Sequence, residues 1–374
     1  MKKENLEKIT ELRHELHRHA ELSMEERETA EIIRRFLREN TRLQVVDRGG
    51  WFYAVKEGSG AAGAIAFRAD MDALPIAENA ALPYHSLHEG VSHRCGHDGH
   101  SAALCGLALE LDGMPAGPAV YLIFQPGEET GQGAEICREL IKEKGIGKIF
   151  AVHNLGGYPE GSVVYRAGLT QPSSEGLRMR FRGRTSHASA PEEGKNPSGI
   201  ISRVILYTEE LCGRQGEWTG MTLCTVTGIR LGSGDFGISP GEGELCLTLR
   251  AENESEMKQL EKAVLGFAGT LCGKEEVGFD FSIRDYFPET RNDDAALDQV
   301  LRAAERLGKR VIPMEKLWRA SEDFGWYQKE CPGAMVYIGN GEAYPALHTT
   351  GYDFNDAILE TAADLFAEVC RESG

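Results

Sequence analysis

The first forty residues carry apolar positions at the spacing of an α-helix. Apolar side chains recur every three or four positions through residues 5–39, among charged ones, and the pattern breaks between Ala20 and Met24. This periodicity predicts two amphipathic helices, each with one apolar face turned towards a core.

Shorter apolar segments follow, and their length is typical of β-strands. They cover residues 51–55, 64–68 and 120–125, and an apolar stretch from Ser101 to Leu111 lies between the last two. That stretch is long enough for a buried helix. Strands that alternate with helices predict an α/β fold, in which a mainly parallel sheet is flanked by helices.

The pattern changes near Pro172. From there to Asp285 the expected elements are, in order, a strand at 177–181, a helix at 198–212, strands at 223–229 and 244–251, a helix at 255–271 and a strand at 278–283. This βαββαβ order is typical of a compact α+β domain.

The last part of the chain returns to the helix and strand pattern of the first. It contains a helix at 295–307, an apolar strand at 334–338 and a terminal helix at 356–370. We therefore predict a catalytic domain made of residues 1–171 and 287–374, interrupted by an inserted α+β domain at residues 172–286.

Composition narrows the class of protein. The chain has 374 residues, 41% of them hydrophobic, and a formal net charge of -17. A chain of this length usually forms more than one domain. The negative charge argues against a nucleic-acid partner, whose phosphates need a basic face. Nine cysteines without paired spacing favour a reducing cytoplasm, and the absence of a long apolar run argues against a membrane partner.

Residues 93–100 contain several side chains of the kinds that bind metal ions. They read His-Arg-Cys-Gly-His-Asp-Gly-His and so combine a thiol, imidazoles and a carboxylate. On an extended backbone Cys95 and His97 would project to the same side and share one ion. Asp98 and His100 are then left to orient, bridge or relay protons.

Other polar groups stand where predicted strands end. They are Asp70 and Asp72, the adjacent pair Glu128 and Glu129, His153, and His348 after a strand and loop. Ligand sites of open α/β sheets form beyond the carboxyl ends of the strands, so these groups are expected to converge. Adjacent glutamates point in different directions, so one can bind metal while the other stays free as a base.

The remaining histidines carry weaker signals. His14, His17 and His19 lack the spacing of a zinc-binding helix motif, so a surface helix is expected. His85 and His88 stand in a loop and are expected to be solvated.

Taken together, these segments resemble the aminoacylase and carboxypeptidase superfamily of dinuclear metallopeptidases, in the branch of N-acyl-amino-acid amidohydrolases that includes hippurate and auxin-conjugate hydrolases. The matching segments, in chain order, are residues 13–19, 68–75, 95–100, 124–129, 153, 322–324 and 347–348. The resemblance implies hydrolysis of the amide bond of a small N-acyl amino acid or a short peptide.

The resemblance also implies roles for single residues. Two divalent ions per subunit would be held by Cys95, His97, Glu129, His153 and His348. Glu128 matches the general base, and Asp72 matches a carboxylate that positions a ligand. Thiolate and imidazole suit zinc, nickel or cobalt, while carboxylate tolerates manganese.

The insertion resembles the lid or dimerisation domain of that family, which implies a homodimer. His187 matches a histidine that reaches the substrate carbonyl, and Arg250 an arginine that grips the substrate carboxylate. The chain departs from the pattern at Ala20 (commonly proline), Arg94 (a small residue) and Gly237 (asparagine). We expect Arg94 to add a positive charge near the metal entrance, and the departures to alter the substrate range.

Two alternatives come from other functional classes. One is a metal-binding or ligand-binding protein of the same fold without turnover, and the presence of Glu128 beside Glu129 argues against it. The other is a cysteine hydrolase that uses Cys95 and His97, which would stay active after chelation of metal.

Overall fold

The computed structural model describes residues 1–59, 63–79, 82–214 and 216–373. These divide into two compact units. The first unit contains residues 1–170, 290–318 and 322–374, and the second contains residues 171–289 and 319–321.

In chain order the first segment contains α1 (Lys3–Arg18), α2 (Arg27–Asn40), β1 (Gln44–Asp47), β2 (Phe52–Lys56), β3 (Ala64–Asp70), α3 (His97–Leu111), β4 (Ala119–Gln125), α4 (Gly133–Cys137), α5 (Glu139–Lys144), β5 (Ile146–Leu155), β6 (Val163–Tyr165) and β7 (Gly168–Gln171). The middle segment contains β8 (Ser173–Arg182), β9 (Ser186–His187), α6 (Ser198–Gly213), β10 (Thr222–Leu231), β11 (Ile238–Ser239), β12 (Glu242–Ala251), α7 (Glu254–Glu275) and β13 (Gly278–Phe287). The last segment contains β14 (Thr290–Asn292), α8 (Asp294–Arg306), β15 (Val311–Pro313), α9 (Gly325–Gln328), β16 (Gly333–Gly339) and α10 (Leu359–Arg371).

One eight-stranded sheet organises the first unit. Its strand order is β1-β2-β4-β3-β5-β16-β6-β15. The four central strands, β4, β3, β5 and β16, run parallel to one another. Antiparallel pairing is confined to β1 with β2, β2 with β4, and β16 with β6. The predicted α/β fold with a mainly parallel sheet and flanking helices is therefore confirmed.

Apolar side chains cover both faces of this sheet. On one face α1, α2, α3, α8 and α10 bury a large core, in which Phe67 packs 5.6 Å from Phe150 and 5.3 Å from Phe366 between ring centroids. Helices α4 and α5 bury the smaller core on the other face. Helix α3 is buried on nearly every side, which explains why its sequence after Ser101 is mainly apolar rather than amphipathic.

The second unit is an antiparallel sheet of order β10-β12-β8-β13, covered by α6 and α7. Its longer elements, β8, α6, β10, β12, α7 and β13, follow the predicted order, and the two-residue strands β9 and β11 are additional. Residues 319–321 also belong to this unit, and Arg250 donates hydrogen bonds to two of them. The Arg250 Nε donates to the carbonyl oxygen of Arg319 at 3.1 Å, and NH2 donates to the Ser321 hydroxyl at 3.3 Å.

Within the described ranges, no helix combines the length and the apolar character that crossing a bilayer requires.

Candidate metal and active site

The five predicted ligands come from separate elements of the first unit and lie together. The Sγ atom of Cys95 is 3.5 Å from Nε2 of His153 and 3.4 Å from Nε2 of His348. Oε1 of Glu129 lies 3.3 Å from Nε2 of His348 and 3.8 Å from Nε2 of His97. His348 is half-exposed, so the cluster opens to solvent on its side.

The sheet explains this convergence. Strands β4, β3, β5 and β16 are neighbours and parallel, so their carboxyl ends share one edge. Glu129 follows β4 and His348 follows β16, whereas His153 lies within β5, two residues before its end.

The geometry at Cys95 and His97 differs from the expected extended segment. His97 is the first residue of α3, and Gly96 before it has a φ of 103°. A Cβ atom at Gly96 would lie 2.3 Å from Oδ1 of Asn154. Cys95 and His97 therefore approach each other through a left-handed turn into a helix, and only glycine fits that turn.

Hydrogen bonds to the ring Nδ1 atoms orient two of the histidines. Nδ1 of His153 donates to its neighbour's carbonyl oxygen, on Asn154, at 2.7 Å. Nδ1 of His97 lies 3.1 Å from Oδ1 of Asp72. Both Nε2 atoms are thereby directed at the cluster, an arrangement typical of metal-ligating histidine.

The cluster fits a divalent cation. Nε2 of His97 is buried and has no hydrogen-bond partner among the residues that the structure describes. A buried polar atom without a partner is costly, and a bound cation removes that cost. The donor set of one thiol, three imidazoles and one carboxylate suits a transition metal such as zinc.

Glu128 is a buried carboxyl group directly beside the cluster. Its Oε2 lies 3.8 Å from Nε2 of His97. Burial, together with the charges of Glu322 and Glu129, raises the pKa of Glu128 well above its usual range. A carboxylate of this kind can take a proton from water and return it.

Arg68 organises the acidic residues behind Glu128. Its buried guanidinium contacts Asp70 at 2.8 Å, Asp323 at 2.8 Å and Glu322 at 3.0 Å. Its Nε donates to Oε1 of Gln125 at 2.8 Å. The sequence reasoning assigned no role to Arg68, Glu322 or Asp323, although all three stand in matched segments.

A second chain of hydrogen bonds supports the other side. Nδ1 of His100 lies 2.6 Å from Oδ1 of Asp70, and its Nε2 lies 2.6 Å from Oδ1 of Asn154. The Asn154 amide donates to the Tyr352 hydroxyl at 2.7 Å. His100 thus connects the end of β3 to the strand that carries His153.

An aromatic side chain also borders the cluster and was missed. The ring centroid of Trp318 lies 5.4 Å from that of His153 and 5.2 Å from that of Tyr337. A single tryptophan carries no motif, so the sequence offered no signal for it.

Helix α1 has an exposed face, but the surface position expected for His17 is wrong. His17 is buried, with Nδ1 2.8 Å from Oδ2 of Asp98 and Nε2 2.8 Å from Oε1 of Glu78. Helical periodicity explains this, because His17 shares the buried face of α1 with Arg13 and Leu16. His85 and His88 are exposed, as expected.

Arg94 does not add an unpaired charge at the entrance. Its side chain is buried, with NH2 2.7 Å from Oε1 of Glu78 and Nε donating to the Ser92 hydroxyl at 2.8 Å. The positive charge is neutralised by Glu78, which corrects the expectation from the sequence.

His187 and Arg250 belong to the second unit. Nδ1 of His187 accepts from the Ser189 backbone N–H at 3.1 Å, so the neutral ring carries its proton on Nε2. His187 is exposed, and its strand β9 pairs with β11. The carbonyl oxygen of Gly237, one of the departures, accepts from the Ala188 N–H at 3.0 Å.

Comparison with known proteins identifies the family. Residues 66–372 match the model of peptidase family M20/M25/M40. The chain is 29% identical to N-acetylcysteine deacetylase of Bacillus subtilis over 369 residues, which cover 97% of this chain and 96% of that protein. It is also 29% identical to hippurate hydrolase of Campylobacter jejuni over 366 residues, covering 96% and 94% of the two chains.

Solved structures agree. The YXEP protein of Bacillus subtilis, described as a dinuclear metal binding peptidase from the M20 family, superposes with a TM-score of 0.83 at 27% identity. The match covers 99% of this chain and 98% of that one. The resemblance inferred from the motifs is confirmed, and the protein is a hydrolase of peptidase family M20/M25/M40.

Proposed function

We propose that this protein hydrolyses the amide bond of small N-acyl amino acids or short peptides, with two divalent ions held by Cys95, His97, Glu129, His153 and His348. The observation that carries the proposal is a ligand cluster accompanied by a second carboxyl group. Oε1 of Glu129 and Oε2 of Glu128 both lie 3.8 Å from Nε2 of His97. A protein that only bound metal would need the ligands but no free carboxylate beside them.

When bound, the ions supply Lewis-acid chemistry, which acidifies water and polarises an amide carbonyl. Zinc, nickel, cobalt and manganese are all compatible with this mixed donor set. Asp72 holds His97 in the required orientation through the contact at Nδ1.

Glu128 is the proposed general base. It takes a proton from the attacking water and later delivers that proton to the leaving nitrogen. Its raised pKa supports the first step, because a carboxylate with a higher pKa is a stronger proton acceptor. The surrounding carboxylates favour the protonated form of Glu128, whereas the positive charge of Arg68, which also pairs with Glu322, opposes that shift.

Two residues of the second unit are proposed to contact substrate. The protonated Nε2 of His187 is suited to donate to the carbonyl oxygen, and Arg250 to bind the free carboxylate. The names of two relatives, N-acetylcysteine deacetylase and hippurate hydrolase, support an N-acyl amino acid as substrate.

We also propose that the protein is a cytoplasmic homodimer that pairs through the inserted domain. Strand β10 is at an edge of its sheet and carries the exposed apolar side chains of Val226 and Ile229. An exposed apolar edge favours pairing with a second copy.

The test uses N-acetyl, N-benzoyl and dipeptide substrates with metal-free protein, before and after reloading with zinc, manganese, cobalt or nickel. We expect hydrolysis only after reloading. Full activity of metal-free protein would contradict the proposal and favour the Cys95 hydrolase. No hydrolysis of any substrate by protein that holds two ions would favour the binding protein.

A further inference from the structure

The backbone on both sides of Glu128 is held by buried carboxylates from elsewhere in the chain. The N–H of Gly127 donates to Oε1 of Glu26 at 2.7 Å, and the N–H of Glu129 donates to Oδ2 of Asp72 at 2.9 Å. The residues before and after Glu128 therefore each donate a backbone hydrogen bond to a buried carboxylate. Asp72 already has a role at His97, whereas Glu26 has none so far.

Glu26 does not serve the helix at whose start it stands. It precedes α2, yet its side chain makes no capping hydrogen bond to that helix. Its Oε1 instead accepts from the N–H of Met24 at 2.9 Å and from that of Gly127. Glu26 is also 4% exposed, and burying a carboxylate is costly unless hydrogen bonds compensate. Its contacts thus serve the turn after β4.

The segment that carries Glu26 is itself fixed to the site. The Ser23 hydroxyl donates to Oδ2 of Asp72 at 2.7 Å, and the N–H of Ala73 donates to the carbonyl oxygen of Glu21 at 2.8 Å. Met24 adopts a φ of 68°, which is uncommon for a side chain of its size. Hydrogen bonds therefore attach the connection between α1 and α2 to the segment that carries Asp72.

We infer that Glu26 is a positioning residue, which holds Gly127 and thereby fixes the turn that presents Glu128 and Glu129. The inference rests on the proposed function, in which Glu128 is the base and Glu129 a ligand. Correct placement matters because a displacement of about 1 Å costs on the order of 100-fold in rate. Glu26 acts through the backbone and touches neither ion nor substrate.

Three substitutions in the full-length, metal-loaded protein test this role. Glu26→Gln keeps an acceptor oxygen, Glu26→Met keeps the volume without an acceptor, and Glu26→Asp keeps the charge but shortens the reach. We expect kcat within about threefold of wild type for Gln, and a loss of about 10- to 100-fold for Met and Asp with KM nearly unchanged. Glu25, exposed and adjacent, provides matched controls as Glu25→Gln and Glu25→Met.

A second measurement is independent of catalysis. Amide hydrogen exchange across residues 126–130 of the metal-free protein should accelerate about tenfold or more in Glu26→Met and Glu26→Asp, but not in Glu26→Gln or the Glu25 variants. Amide hydrogen exchange in α7, which lies in the other unit, should stay unchanged. That result would exclude a destabilisation of the whole protein.

Wild-type kcat in Glu26→Met, or a reduced kcat without faster local exchange, would overturn the inference. An equal loss in Glu26→Gln would also overturn it, because that variant keeps the acceptor. If Met fails to fold, Gln and Asp still decide the question. An active Glu128→Gln variant would refute the base assignment instead, while the exchange data would still report on Glu26.

Discussion

The carboxylate of Asp72 selects which nitrogen of His97 faces the ligand cluster. Its Oδ1 lies 3.1 Å from Nδ1 of His97, and its Oδ2 accepts from the Ser23 hydroxyl and from the N–H of Glu129. One side chain thus orients a ligand ring and the backbone of a second ligand, which makes it sensitive to small changes.

Asp72→Asn tests that relationship. An amide has one acceptor oxygen in place of two, so either His97 or Glu129 loses its partner. We expect metal affinity to fall about 10- to 100-fold, measured by competition with a chelator. Asp298→Asn, at an exposed position of α8, should leave the affinity unchanged, and an equal affinity in both variants would refute the role of Asp72.

Metal binding should release protons at neutral pH. Burial lowers the pKa of His97, but the carboxylates of Asp70 and Asp72 outweigh it and raise that pKa to about 10. Burial and the charge of Glu129 raise the pKa of Cys95 well above its usual range. Both groups therefore carry a proton in the ion-free protein at pH 7, and an ion must displace it.

Affinity for metal should accordingly increase as pH rises through neutrality. Titration calorimetry in buffers of different ionisation enthalpy measures the protons released. Uptake of metal without net proton release at pH 7 would contradict the proposed ligands.

Glu128→Gln should separate catalysis from metal binding. The glutamine cannot accept the proton of water, so turnover should fall by about 10²- to 10⁴-fold. The metal content should stay at the wild-type level, because Glu129 is the proposed ligand. Glu25→Gln is the control, and near-normal turnover of Glu128→Gln would show that another group is the base.

Gly96→Ala should disrupt the metal centre. The φ of 103° disfavours alanine, and a Cβ would lie 2.3 Å from Oδ1 of Asn154. We expect reduced metal content and a lower unfolding temperature. The control is Gly113→Ala, where the nearest atom to a new Cβ is the carbonyl oxygen of Glu110 at 3.7 Å. Wild-type metal content in Gly96→Ala would mean that the turn can relax.

Glu175 should make the stability of the second unit depend on pH. Burial, followed by the charge of Glu261, raises the pKa of Glu175 to about 7. A raised carboxyl pKa means that the folded state binds the proton more tightly than the unfolded state. The second unit therefore loses stability as pH rises from the ordinary pKa of a glutamate carboxyl group through about 7.

Glu175→Gln should remove that loss. Its unfolding temperature should exceed that of wild type at pH 8, and the difference should shrink towards pH 4.5. The exposed Glu209 provides the control as Glu209→Gln. If the difference in unfolding temperature between Glu175→Gln and wild type does not vary with pH, the raised pKa of Glu175 is contradicted.

The sequence predicted most elements whose side chains divide cleanly between core and solvent. Helix α1 and helix α2 have one buried face, and the central strands are short apolar runs. The sequence missed β1, whose two end residues are exposed, and the two-residue strands β9 and β11. Such short or edge segments bury too little to leave a pattern.

The ligands could be predicted because the matching segments carry them, and three of them, Glu129, His153 and His348, lie at or after the ends of parallel strands. Apart from Asp72, their supports could not be predicted. Arg68 lies inside the buried strand β3, and its partner Asp323 is 255 positions away in the chain. His17 likewise depends on Asp98 and Glu78. Partners so distant in sequence become visible only when the chain is folded.

The crowding of carboxylates around Arg68 has a consequence for the stability of the first unit. One guanidinium faces Asp70, Glu322 and Asp323, and Glu128 lies close to the last two. Arg68 shares this balance with His97 and His100, which also face Asp70. A bound cation would add positive charge beside the remaining acids and so stabilise the first unit as well as serve its chemistry. The second unit has its own apolar core. Withdrawal of metal would therefore be expected to lower the unfolding temperature of the first unit.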